Sequence, residues 1–316
     1  MRALAIAGLA LALLAPTLAA GGGAPPCASS VGDLVVGSAH GRIATPCGAP
    51  RGLVVILHGY GHQAADHDAH LARLAELGFV AFAMDYSGPV DGFPLRAGAL
   101  DTEAALAQVR GEWGFSHGVL FSVSMGTAVA SMVLADEHGF FTAWVDSEGL
   151  SQLAETWAEA TALAPANGFA KLAAQRIQEE CGGSPAVAPG CYHERSAALR
   201  AYAFEGLQEA ILLHDVNDGL VPYNQGREME AALAARGVPT EFYTVLRGEA
   251  GHEGTTLTSY GGENVDGLAG HGDEGDDSQA MTALGFRLLE EVATGQHGAV
   301  AGHAQLVVDR DLGTLP

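Results

Sequence analysis

Six short apolar runs punctuate the chain, at residues 53–57 (LVVIL), 79–84 (FVAFAM), 119–123 (VLFSV), 142–145 (TAWV), 210–213 (AILL) and 241–246 (EFYTVL). Each has the length of a strand and most lack polar alternation, which is the pattern of strands buried on both faces of a parallel sheet. Helical patterns fall between them at 64–77, 99–113, 125–138 and 224–236, the last followed by Gly237 as a stop signal. This alternation predicts a doubly wound α/β domain with a mostly parallel sheet and with its sites at the carboxyl ends of the strands. Three stretches break the rhythm. Residues 147–205 carry helical patterns and no strong strand, and are expected to form a helical cap. Residues 261–277 are rich in glycine and acid and read as a surface loop. Residues 296–316 hold one apolar stretch, 306–308, expected as an added edge strand.

Before the first run, Arg2 precedes the apolar stretch 3–15, then Pro16 and the small residues Ala19 and Ala20. This is the order of a secretory signal, so residues 1–20 are expected to be removed after Ala19 or Ala20, leaving a domain over 21–316 in a secreted or periplasmic setting. No later segment approaches the ~18 consecutive apolar residues of a membrane span. In an oxidising compartment the cysteines Cys27, Cys47, Cys181 and Cys191 are read as disulfides. Sequence proximity favours Cys27–Cys47 and Cys181–Cys191, although four cysteines permit three connectivities.

Charge narrows the partners. With 15 Lys+Arg against 37 Asp+Glu the formal charge is −22, which excludes a binder of the nucleic-acid backbone. A composition of 48% hydrophobic and 16% charged residues supports a large core and excludes a disordered chain.

Chemistry concentrates where strands end. The run 119–123 leads directly into Ser122-Val123-Ser124-Met125-Gly126 and then a helical pattern, the setting in which G-x-S-x-G forms a nucleophile elbow. Ser124 takes the nucleophile position, Gly126 fits, and Ser122 replaces the first glycine. A serine nucleophile needs a base oriented by an acid. After 210–213 comes His214-Asp215-Val216-Asn217-Asp218-Gly219-Leu220-Val221-Pro222, in which Asp218 takes the acid position, with Asp215 and, after the preceding strand, Asp146 as competitors. After 241–246, the pair Gly251-His252 supplies the base, so His252 is chosen; His271 lacks a strand-end context and reads as a surface or packing residue. The first run ends in His58-Gly59-Tyr60-Gly61, and the backbone amides of Tyr60 and Met125 are assigned to an oxyanion hole.

These motifs resemble those of the α/β-hydrolase fold serine hydrolases, closest to the dienelactone hydrolase and prolyl oligopeptidase-like esterases, over residues 52–294 and including Met84-Asp85-Tyr86-Ser87-Gly88. The resemblance implies hydrolysis of a small-molecule or polymeric carboxylic ester through an acyl-enzyme, with a Ser124–His252–Asp218 triad and no cofactor. An exported peptidase or amidase would use the same groups, and a silent hydrolase fold that binds a ligand is the reading from another class. Two ion-binding readings compete with plain solvated surfaces, which are favoured. His62, His67, Asp68 and His70 lack matching ligands at strand ends, and Asp273, Glu274, Asp276 and Asp277 do not have the calcium-loop spacing.

Overall fold

The computed structural model describes residues 29–89, 92–165, 168–216, 218–246, 258–260, 263–265, 271, 273–276, 279–309 and 313–315. The strands are β1 (Ser30–Val36), β2 (Ala39–Thr45), β3 (Gly52–Leu57), β4 (Phe79–Met84), β5 (Gly118–Val123), β6 (Phe141–Ser147), β7 (Glu209–Asp215), β8 (Thr240–Leu246), the short pair β9 (Thr258–Tyr260) and β10 (Glu263–Val265), and then β11 (His303–Asp309) and β12 (Gly313–Leu315). Among the described residues, ten of them form one sheet in the order β1-β2-β4-β3-β5-β6-β7-β8-β11-β12. The centre, from β4 to β11, is parallel, and antiparallel pairings occur only towards the ends.

The helices are α1 (Asp68–Glu76), α2 (Leu95–Trp113), α3 (Gly126–Asp136), α4 (Leu153–Leu163), α5 (Gly168–Cys181), α6 (Pro189–Glu194), α7 (Ala197–Arg200), α8 (Asn224–Ala235) and α9 (Ala280–Thr294), with a 3₁₀ turn at Ala64–His67 ahead of α1. The central strands read as unbroken apolar runs because both faces are covered. Along β3, Val55 and Leu57 join the core under α2, α3 and α8, while Val54 and Ile56 join the core under α1 and α9. Helix α3 follows the same rule, with ten of its eleven residues, Gly126 to Ala135, buried and its terminal Asp136 exposed.

Several expectations change. The hairpin β1–β2 extends the sheet at one edge by pairing with β4, where no strand was expected. The tail strand β11 is not an edge: it lies parallel to β8, with β12 outside it. The acidic stretch 261–277 is not simply a surface loop, for it contributes β10 and places His271 and Glu274 in buried positions. Helix α9 went unread in the sequence although its apolar residues pack on Phe121 and Val145. The segment between β6 and β7 carries α4 to α7. Within it Cys181 and Cys191 are joined, with Cα atoms 5.5 Å apart. Cys47 is also disulfide-bonded, while Cys27 and residues 1–20 lie outside the described residues. No helix among the described residues is long and apolar enough to cross a membrane.

Candidate active site

Ser124 directly follows β5 and adopts φ +52°, a left-handed conformation that a non-glycine residue holds only under structural constraint. The constraint is visible on both sides. Its N–H donates to the Ser147 carbonyl at 2.9 Å and its carbonyl accepts from Thr127 N–H at 3.1 Å. Two residues on, a Cβ at Gly126 would collide with the backbone of Leu57, so only glycine lets α3 leave the sheet this close to β3.

Ser122, the departure from the glycine pattern, has its own partner. Its hydroxyl donates to Asp146 Oδ1 at 2.5 Å and accepts from Trp144 Nε1 at 2.8 Å, and Thr127 Oγ1 donates to the same carboxylate oxygen at 2.5 Å. Among the described residues, Asp146 thus ties together the two sides of the elbow, Ser122 and Thr127. Burial pushes its carboxyl up to about 6, with the two hydroxyl hydrogen bonds opposing that rise.

Asp218, the expected acid, is buried and held by four partners. Its Oδ1 accepts the backbone N–H groups of Leu220 (2.8 Å) and Val221 (2.9 Å), while Oδ2 faces His271 Nδ1 at 2.8 Å and His214 Nε2 at 3.3 Å. Burial alone would raise its carboxyl, but His271 and His214 hold it well below the usual range. The competitor Asp215 is the buried last residue of β7.

The expected base, His252, lies outside the described residues. Among the described residues, the histidine nearest the Asp218 carboxylate is His271, at 2.8 Å against 3.3 Å for His214; the sequence reads it as a surface or packing residue, and it is 7% exposed. Burial alone would lower its pKa, but the charges of Asp218 and Glu148 push it up to about 9. Glu148, directly after β6, is buried, has φ +54°, and places Oε2 3.9 Å from His271 Nδ1. With Nδ1 committed to Asp218, Nε2 is the ring nitrogen left to exchange a proton.

Ser124, His271 and Tyr60 line one cavity of about 350 Å³. Phe93, Leu150, Phe169 and Ile177 make its apolar wall, the last two from α5. Met125 is the residue at the N-terminal cap of α3, where backbone N–H groups lack partners within the helix. The Tyr60 ring packs 5.2 Å from Phe93 and 6.0 Å from Phe169. Beneath it, His58 stacks on Tyr86 at 4.0 Å, and the Tyr86 hydroxyl donates to the His58 carbonyl at 3.3 Å.

The side chains of the histidine-rich segment take different partners among the described residues. Asp68 pairs with Arg42 and His70 stacks on Phe286, whereas His62 and His67 turn towards Glu274. Among the described residues, the compact group with metal-ligand atom types is Glu148, Asp218 and His271. Nor is the acidic run a solvated face throughout. Glu274 is 2% exposed because the Gly59 N–H and the histidines replace water as its partners. Burial alone would raise the Glu274 carboxyl; His67, His62 and His58 together hold it below the ordinary range. Asp277 lies outside the described residues.

The fold is that of the α/β-hydrolases. Solved structures bear this out at low sequence identity. The peptidase of Mycobacterium tuberculosis that hydrolyses puromycin superposes with a TM-score of 0.56 at 17% identity, covering 84% of this chain and 38% of that one. The Pyrococcus horikoshii acylaminoacyl peptidase gives 0.52 at 13% identity, over 70% of this chain and 37% of its own. An esterase/lipase from an uncultured bacterium gives 0.50 at 18% identity, over 69% and 74%. This chain thus spans less than two fifths of the length of the two peptidases. No protein-family model matches the chain, and no curated protein matches it in sequence.

Proposed function

We propose that the chain is an exported serine hydrolase that cleaves carboxylic esters through an acyl-enzyme, with Ser124 as nucleophile, His271 as base and Asp218 as the acid that orients it. The observation that carries this reading is the sharing of one cavity by a strained Ser124 and by a His271 already bonded to a buried carboxylate. In the first step Ser124 Oγ attacks the ester carbonyl carbon while its proton passes to His271 Nε2. The alkoxide that develops is received by the backbone N–H groups of Tyr60 and Met125. Collapse breaks the bond to the alcohol oxygen, which leaves with the proton from His271. Water then attacks the acyl-enzyme by the same route and releases the acid. Asp218 stays ionised throughout and stabilises the imidazolium. The largely apolar cavity suits an apolar acyl or alcohol group. Export is supported by the leader pattern of residues 1–20 and by the Cys181–Cys191 bond.

A second reading, cleavage of an amide by the same groups, draws on the two peptidases among the structural neighbours. The test is a fluorophosphonate probe followed by a panel of short-acyl esters, long-acyl esters and peptide amides. Labelling at Ser124, its loss in Ser124→Ala, and turnover of esters over amides are expected. Labelling at another serine, or none on folded protein, would sink the reading. Faster amide turnover would move it to the peptidases.

A further inference from the structure

The residue that follows the base by three positions reaches across to the oxyanion turn. Glu274 Oε1 accepts the Gly59 N–H at 2.5 Å, and its Oε2 lies 3.5 Å from Nε2 of His67, which is fully buried. The other end of Gly59 is held as well, since its carbonyl accepts from His58 Nδ1 at 2.8 Å. That carbonyl belongs to the same planar peptide unit as the Tyr60 N–H, so fixing the oxygen on one side directs the N–H to the other. Gly59 is thus pinned at both ends, its N–H by Glu274 and its carbonyl by His58. The direction of the Tyr60 donor follows from the pair. The closeness is also steric. A Cβ on Gly59 would stand 2.9 Å from Glu274 Oε1 and 3.2 Å from the Ser124 Cβ, which leaves no room for a larger residue or a rotated turn.

The loop that bears Glu274 is itself anchored. Asp273 N–H donates to Gln279 Oε1 at 2.7 Å, and Thr282 Oγ1 donates to the Asp273 carbonyl at 2.8 Å, tying the loop to the start of α9. Its other functional end is His271, bonded to Asp218. One short loop therefore connects the acid after β7 with the oxyanion turn after β3.

We propose that Glu274 is a positioning residue, the clasp that holds the oxyanion turn at Gly59 in register with the loop carrying His271. This rests on the ester-hydrolase reading above, so the experiment separates the two. Glu274→Ala removes the acceptor for Gly59. Glu274→Gln keeps a carbonyl oxygen for it and offers an amide N–H to His67. Steady-state kinetics on the preferred ester and amide hydrogen exchange of the peptide spanning residues 58–61 are measured for both, with folding checked by thermal melting.

Glu274→Ala is expected to lower kcat about 10- to 100-fold, the scale of a displaced oxyanion donor, with KM within about twofold. Exchange at 58–61 should speed up in step. Glu274→Gln should recover most of kcat and the slow exchange. Unchanged exchange at 58–61 in Glu274→Ala overturns the clasp, whether or not the protein proves to be an esterase. Faster exchange with unaltered kcat, or equal loss of kcat in the two variants, overturns the positioning role. Failure of the wild-type protein to react with a fluorophosphonate falls on the hydrolase reading, while the exchange comparison still decides the clasp.

Discussion

Replacing Asp218 by Asn tests the charge relationship on which the site depends. In the wild type, His271 is raised from 6.5 to about 9, a difference that corresponds to about 3 kcal/mol of preferential stabilisation of the imidazolium. The same stabilisation acts when the imidazolium forms during attack by Ser124, so its loss alone would slow kcat by about two orders of magnitude. An asparagine that donates its N–H to Nδ1 would also reverse the tautomer, and the loss then deepens towards about 10⁴-fold. Glu148, 3.9 Å away, retains part of the field and keeps the His271 pKa from falling the whole distance. The assay is kcat/KM against pH. Because the base works in its neutral form, the wild-type activity should rise with pH up to about 9, and in Asp218→Asn this limb should move down by one to two units. Stability carries the opposite signature. The raised His271 pKa contributes stability that is complete below 6.5 and is lost as pH rises through 9. The depressed Asp218 contributes stability that is present above 3.8 and is lost as pH falls below it. The variant should therefore be most destabilised between 3.8 and 6.5, where both contributions are complete, and less so as pH rises through 9, where the His271 contribution is lost. An unmoved acid limb with a kcat near the wild-type value would refute the pairing.

Three further outcomes can be measured. His271→Ala should reduce ester turnover by at least about 10³-fold while His252→Ala leaves it within a fewfold; the reverse order would return the base to the strand-end position. Ser122→Gly restores the glycine of the elbow pattern but leaves Trp144 Nε1 without its acceptor and Asp146 with one donor fewer. It should lower stability by about 1–3 kcal/mol in denaturant titration, and a neutral or stabilising effect would remove the bracing role of Asp146. Cys181→Ser/Cys191→Ser should lower stability by roughly 2–3 kcal/mol and change the preference among acyl chain lengths, because α5 ends at Cys181 and supplies Phe169 and Ile177 to the cavity; fluorophosphonate labelling of Ser124 should persist, and unchanged selectivity would refute the link.

The parallel core was legible because burial on both faces writes short apolar runs of strand length. The run 79–84 coincides with β4, and 53–57, 119–123 and 241–246 fall within one residue of their strands. The hairpin β1–β2 escaped notice for the converse reason. It lies at the sheet edge, exposes His40 and Val35, and shows no continuous apolar signal. His271 and Glu274 were missed because charge and glycine in a row read as solvated surface, whereas partners distant in sequence, Asp218 and Gly59, take the place of water. Gly270-His271-Gly272 offers a second Gly-His pair ahead of α9, but the strand-end rule favours His252, which lies outside the described residues.

The ordering of the sheet explains how such scattered residues meet. Five adjacent strands, β4, β3, β5, β6 and β7, end in turn at Tyr86, the His58–Tyr60 turn, Ser124, Glu148 and Asp218. Three of these residues, Tyr86, Ser124 and Glu148, hold positive φ values between +52° and +54°, and no other non-glycine residue does so among the described residues. Such conformations cost about 1–3 kcal/mol each and persist only where packing over-determines them. Tyr86 stacks on His58 next to Gly59 and Glu148 sits beside His271, while the third strained residue is Ser124 itself. The strain thus marks the same row that the hydrogen bonds mark. A parallel sheet presents all of its carboxyl ends on one side, and the central position of Ser124 in that row lets the Tyr60 donor arrive from β3 on one flank and Asp218 from β7 on the other, where it meets His271 from the loop before α9.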